Sequence, residues 1–328
     1  MATEVRPWGV VVIGRNEGER LKRCIASVQS GAMPVVYVDS GSTDGSGSWA
    51  RSQSVDVVDL DLSRPFTAAR ARNAGFTRLL TLRPDIEFVQ FIDGDCEMVE
   101  GWLEVARRFL VQHPEVAAAC GRRRERFPEA SIFNAQCDRE WNTPIGEAKA
   151  CGGDAMFRRT ALEQAGGYRS SLIAGEEPEL CVRLRAAGWR IWRLDQEMAL
   201  HDAAILRWGQ WWKRTGRTGH AFAEGARLHG APPERHWVKE TWRAIVWGLC
   251  LPLAILLSVL AGYPAALFIL LAYPMQVLRL ALRLGIAKRW AWQESLLLML
   301  ARFPEAWGVI RFWFCALTAR QDRLIEYK

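Results

Sequence analysis

Residues 244–278 run for 35 positions without one charged side chain. A single helical span of a bilayer needs about 20 apolar residues, so this run is too long for one span and barely enough for two. Gly262-Tyr263-Pro264 sits at its middle, a combination that turns a chain. Arg235, Lys239 and Arg243 flank one end, and Arg279, Arg283, Lys288 and Arg289 flank the other. Cationic flanks mark the cytoplasmic side, so a membrane hairpin with both ends inside is expected. Upstream, residues 203–243 carry eight Lys or Arg against three Glu, a net of +5, with Trp208, Trp211 and Trp212 among them. Tryptophan mixed with cations on one helix suits a bilayer surface. Residues 295–318 are apolar but interrupted by Arg302, Glu305 and Arg311, which fits an interfacial or bundle-packed helix, with a third span as the alternative. The whole chain has a formal charge of +7. With so apolar a C-terminal third, that excess points to membrane lipids as partners and not to nucleic acid.

The first two hundred residues have a different grammar. Short apolar runs at 10–13, 35–38, 55–60 and 88–92 alternate with helical spacing. Leu21, Cys24, Ile25 and Val28 form one helical face closed by Gly31, and 66–82 is a second helix. Alternating strand and helix units predict an α/β fold with a doubly wound, mainly parallel sheet. Further strands are expected at 116–120 and 191–201. Each run stops at a polar residue, so the carboxyl ends of the strands line one crevice, where open α/β sheets bind ligands. Gly14-Arg-Asn-Glu-Gly18 has the wrong spacing for GxGxxG, and no GxxxxGK[ST] loop occurs, which argues against nicotinamide, flavin and P-loop chemistry. MATEVRPWGV leads straight into the first strand, so no signal peptide is expected. Eight cysteines at scattered spacing read as reduced, small hydrophobic side chains.

The fourth strand ends at Asp93-Gly94-Asp95. Two carboxylates one residue apart at a strand's carboxyl end make a hard-oxygen site for Mg²⁺ or Mn²⁺, ions that reach proteins through one or two carboxylates plus substrate phosphates. A solvated acidic turn would look the same in isolation.

The set IGRNEGERL, VDSGSTDGS, ARARNAGF, FIDGDCE, GGDAMFRR and GEEPELCVRLRAAGWRI resembles glycosyltransferase family 2 over roughly residues 8–202. The resemblance implies a GT-A fold, a nucleotide-sugar donor, a divalent metal and inversion at the anomeric carbon. It implies that Glu17 and Asp39 hold the nucleoside, that Arg72 contacts the donor, and that Asp154 bonds sugar hydroxyls. Asp93 also lies on the donor side, and Asp93, Asp95 and His201 become the metal ligands. The family's Glu-Asp pair, whose second acid is the catalytic base, is Glu176-Glu177 here, so Glu177 takes the base's place. Other departures are Ser40 where a second Asp is frequent, Gly14-Arg15 before Asn16, and Gln210-Trp-Trp-Lys-Arg in place of QxxRW. The GRRRERF run at 121–127 reads best as a solvated edge.

Together these features predict three regions: a GT-A domain over 1–202, basic Trp-rich interfacial helices over 203–243, and a membrane hairpin with an amphipathic last helix over 244–328. The expected protein is an inverting transferase at the inner membrane. Its catalytic domain is cytoplasmic and it moves a sugar to a hydroxyl of a lipid-linked saccharide in cell-surface glycan synthesis. Transfer to a polyprenyl phosphate, which needs no base, is the rival reaction, and a non-catalytic nucleotide-sugar-binding scaffold is the rival of another class.

Overall fold

The computed structural model describes residues 7–29 and 33–318; Gly31, the expected helix stop, lies outside them. The chain divides into two compact units, one through Ala204 and one from Ile205.

The first unit begins with β1 (Trp8–Gly14), α1 (Glu19–Val28), β2 (Val35–Asp39), α2 (Ser46–Arg51), β3 (Asp56–Asp59), α3 (Ala68–Leu82) and β4 (Phe88–Asp93). These four strands pair in parallel, in the order β3-β2-β1-β4. Val10, Val11 and Val12 are wholly buried, because helices cover both faces of the sheet. The predicted parallel crossovers are all here.

Beyond β4 the sheet is mixed. β5 (Cys96–Met98), α4 (Trp102–Gln112), β6 (Val116–Glu125), α5 (Ile132–Glu140), β7 (Gly146–Ala148), β8 (Ala155–Arg158), α6 (Arg159–Ala165), α7 (Glu176–Ala186) and β9 (Arg190–His201) complete the unit. β8 inserts antiparallel between β4 and β6, β9 runs parallel to β6, and β5 and β7 add antiparallel to β9. The predicted strand at 116–120 continues through Arg122, Arg123 and Arg124, so that run is not the solvated edge expected. Alternation explains this: Arg123 turns inward while Arg124 stays outside, paired with Glu197 at 2.9 Å.

One close contact sets the depth of α3. A Cβ on Gly75 would lie 2.3 Å from Val11 Cγ1 and 2.9 Å from Val38 Cγ2. Only a glycine lets α3 lie this deep on β1 and β2, and that brings Arg72, one turn earlier, to the end of β4.

In the second unit, α8 (Trp208–His229) packs against the helix Arg302–Leu317, burying Thr215, Gly216, Gly219 and Ala223 of the first and Pro304, Gly308 and Val309 of the second. The face expected on a bilayer surface is thus partly spent on helix packing, although Trp208 and Trp212 remain exposed. Two further helices, Val238–Leu260 and Pro264–Leu284, are long and apolar enough to cross a membrane, and they flank a turn at Gly262. The expected helix over 295–318 is instead split at Ala301 between Arg289–Leu300 and Arg302–Leu317.

Replacing Gly75 by valine should overpack this layer and cost about 1–3 kcal/mol. The expected result is a lower urea midpoint with an unchanged slope; an unaltered midpoint would show that the close packing carries no stability.

Candidate active site

Three strand pairings build the centre of the site. β5 brings Cys96 opposite His201, β6 brings Glu125 opposite His201, and β8 closes on β4 beside Asp93. His201 Nε2 stands 3.3 Å from Asp95 Oδ2, and its other ring nitrogen lies 3.9 Å from Glu125 Oε2. An imidazole held between an inner and an outer carboxylate is the arrangement that orients a metal-binding histidine. Ligand atoms of Asp95, Cys96 and His201 all lie within 4.8 Å of one another. The Cys96 thiol donates to Asp154 Oδ2 at 3.2 Å. Burial first, then the charges of Asp154 and Asp93, push its pKa well above the ordinary range. The carboxylate and imidazole of this cluster suit a hard to borderline divalent cation.

Asp93 is placed differently from Asp95. Its Oδ1 accepts from Arg72 Nη2 at 2.8 Å, and its Oδ2 lies 4.0 Å from Arg123 Nη1. It sits with the guanidinium groups and outside the Asp95–His201 cluster.

Arg72 was expected to touch the donor, but its side chain is only 2% exposed. Its Nη1 reaches Glu176 Oε1 at 2.7 Å and Glu177 Oε1 at 3.0 Å, so the guanidinium is enclosed by three acids. Asn73 beside it donates to the Tyr168 carbonyl at 2.7 Å and accepts from the Tyr168 N–H at 2.9 Å. α3 is thereby tied to the segment that leads into α7. Asp154, expected to bond sugar hydroxyls, has no exposed side-chain surface. It accepts from the Asp93 N–H at 3.0 Å and from Arg123 at 3.3 Å, so it braces the site from behind.

The first turn of α7 holds Glu176, Glu177 and Glu179, favoured there by the helix dipole. Glu176 is buried on Arg72, and Glu179 is buried on Arg183 and Arg169. Glu177 alone of the three keeps partial exposure, at 15%. Burial and then the charge of Glu176 push its pKa up to about 7, with Arg72 pulling the other way. Gly153 closes over this group: a Cβ there would lie 2.4 Å from Arg72 Nη2 and 3.0 Å from both Asp93 Oδ2 and Glu177 Oε1. A side chain would fill the cradle that two adjoining acids share.

Glu17 and Asp39 lie at the ends of the neighbouring parallel strands. Glu17 pairs with Arg20 at 2.8 Å. Asp39 accepts from the Ser42 N–H at 3.1 Å and from the Tyr37 hydroxyl at 3.3 Å. Sequence reasoning missed Glu125, Arg123 and Trp141. The Arg123 guanidinium lies 4.6 Å over the Trp141 ring, whose edge meets His201. Arg123 and Glu125 reach the site only through pairing with β9, and Trp141, just after α5, through packing on His201.

A doubly wound sheet with an aspartate pair ending its central strand and a carboxylate-bearing helix opposite defines a GT-A glycosyltransferase. More narrowly, residues 9–166 match the family model described as "Glycosyl transferase family 2". Succinoglycan biosynthesis protein ExoA of Rhizobium meliloti is 26% identical over 237 residues, covering 68% of this chain and 71% of that protein. Among solved structures, the Pyrobaculum calidifontis mannosyltransferase PcManGT, in complex with GDP-Man and Mn²⁺, superposes with a TM-score of 0.62 at 20% identity, over 94% of this chain and 88% of that one. S. aureus TarS follows with a TM-score of 0.50 at 15% identity, over 72% of this chain and 43% of that one.

Arg72→Met should leave the buried Glu176 carboxylate without its partner, a change that costs about 3–5 kcal/mol. Chemical denaturation is expected to show that loss, and a loss below about 1 kcal/mol would show that water or another cation replaces Arg72.

Proposed function

We propose that this chain is an inverting, metal-dependent glycosyltransferase with a nucleotide-sugar donor, acting on a hydroxyl of a lipid-linked saccharide during surface-glycan synthesis. The observation that carries the reading is Glu177, partly open and raised to about 7, beside a second pole formed by Asp95 and His201. A base poised near neutrality is what deprotonation of an alcohol requires.

Asp93, Asp95, Asp154, Glu176 and Glu177 gather at this end of the sheet, with the guanidinium groups of Arg72 and Arg123 among them. Asp95 and His201 would hold the ion, with Asp93 helping; the imidazole favours Mn²⁺ over Mg²⁺. When bound, such an ion neutralises charge on the departing diphosphate. Glu17 and Asp39 would hold the nucleoside, in line with the PcManGT complex with GDP-Man and Mn²⁺. Arg72 and Asp154 act at one remove, fixing the acids around them. Glu177 takes the acceptor proton as the hydroxyl oxygen bonds to the anomeric carbon and the bond to the diphosphate oxygen breaks on the opposite face.

Two apolar helices support an inner-membrane location with a cytoplasmic catalytic domain, where a tether raises the effective concentration of a lipid-borne acceptor.

Glu177→Gln keeps the shape and removes the basicity. Single-turnover transfer should fall about 10²- to 10⁴-fold while donor affinity stays near normal. Near-normal transfer would reject the base and favour an ionised phosphate acceptor. The wild-type rate should rise with pH along an acid limb at or below about 7, since only the carboxylate is a base and a bound cation draws the limb down. Stability runs the other way. A carboxyl whose folded pKa exceeds its unfolded value of about 4.3 stabilises the fold below that window, and the gain fades as pH rises toward about 7.

Asp95→Asn should abolish the metal-dependent part of nucleoside diphosphate binding, measured by calorimetry with and without Mn²⁺. Unchanged metal dependence would remove Asp95 from the ligand set.

A further inference from the structure

β9 departs from regular pairing beside the site. Cys120 of β6 pairs with Arg193 of β9, yet Arg122, two residues on, pairs with Glu197, four residues on. The excess chain, 194–196, bulges outward. Bulges of this kind re-aim side chains and cluster near active sites. Between the bulge and the loop after α5 (Asn142 to Ile145) lies an open crevice of about 640 Å³, lined by Arg122 and Arg193 among others. The same loop starts at Trp141, which already touches His201 and Arg123.

Arg193 is the anomaly. Its residue is 3% exposed, and one Nη1 bond to the Leu194 carbonyl is the only hydrogen bond its side chain makes among the described residues. Its Nε is buried without a partner, and no carboxylate among the described residues forms an ion pair with it. A guanidinium carries five N–H donors, and a buried charge is costly unless it is paired. Arg122, by contrast, is matched by Asp138 through its Oδ2 at 3.0 Å and its carbonyl at 2.8 Å. Burial lowers the pKa of Arg122, and the Arg124 and Arg193 charges lower it further, so cations are gathered at this wall. Of the acids on the rim, Glu197 is paired with Arg124, and Asp195 is exposed on the bulge.

We propose that this crevice is an anion-binding subsite in which Arg193 and Arg122 hold a carboxylate or phosphate group of the saccharide acceptor. Planar oxyanions match a guanidinium through paired N–H bonds, and the volume falls within the roughly 300–1,000 Å³ typical of ligand pockets. Assigning the anion to the acceptor rests on the transferase reading above; the binding of an anion does not.

The test is calorimetry on the full chain in detergent with EDTA, so that no metal recruits phosphate to the donor site. Glucuronate, glucose 6-phosphate and uncharged glucose are the probes. Wild type and Asp95→Asn should bind at least one charged sugar alike, and neither should bind glucose comparably. Arg193→Met should weaken that binding at least tenfold, and Arg122→Gln at least threefold. Preference for glucuronate identifies a carboxylate, and preference for glucose 6-phosphate a phosphate. Absence of binding by wild type, unchanged binding by Arg193→Met, or its loss in Asp95→Asn would overturn the proposal. If Arg193→Met does not fold, Arg122→Gln decides alone, with unchanged affinity counting against the subsite. Metal-dependent nucleoside diphosphate binding is measured on the same samples with Mn²⁺. Its persistence beside a failed anion test sinks the subsite and leaves the transferase intact, and its own absence sinks the transferase reading.

Discussion

The Arg72 guanidinium is the contact on which the active end of the sheet depends. It arrives on α3, deep in the fold, and meets Asp93 from β4 and Glu176 and Glu177 from α7. Those elements come from distant parts of the chain and share no backbone hydrogen bonds at this point. Removing a cation from water is costly, and here three carboxylates repay it. The enclosure also explains why α7 presents Glu177 and buries Glu176: the nearer acid is held fast, and its charge helps keep the other near neutrality. Arg123 performs a similar office one layer away, meeting Asp154 behind the aspartate loop.

Much of this was legible in the sequence because it is local. The valine-rich β1 and β2, the aspartates ending β4 and the turn at Gly262 each follow from short-range pattern, and the structure has them. What escaped notice is non-local. β5 is three residues long and exists only by pairing with β9. β8 is four residues long and is placed by its antiparallel partners β4 and β6. The arginines at 122–124 have the composition of a surface, and only the alternation of a strand, invisible until β9 supplies a partner, sends Arg123 to the interior. Arg72 and Asp154 stand out in the sequence, but their burial is a property of packing.

The bulge in β9 and the imidazole at its end show one strand performing two tasks. At the bulge it gives up regular pairing and opens a crevice. By His201 it has regained register with both β5 and β6.

That convergence has a consequence for how the domain matures. His201 and Asp95 stand about a hundred residues apart in the chain, a separation that makes loop closure slow and late. β9 must thread between β6 and β5 before the two side chains meet. During synthesis the aspartate loop therefore emerges long before its histidine, and an unfinished chain holds the aspartates without the imidazole. The contact between Asp95 and His201 is thus a mark of the finished domain, absent from partly built ones.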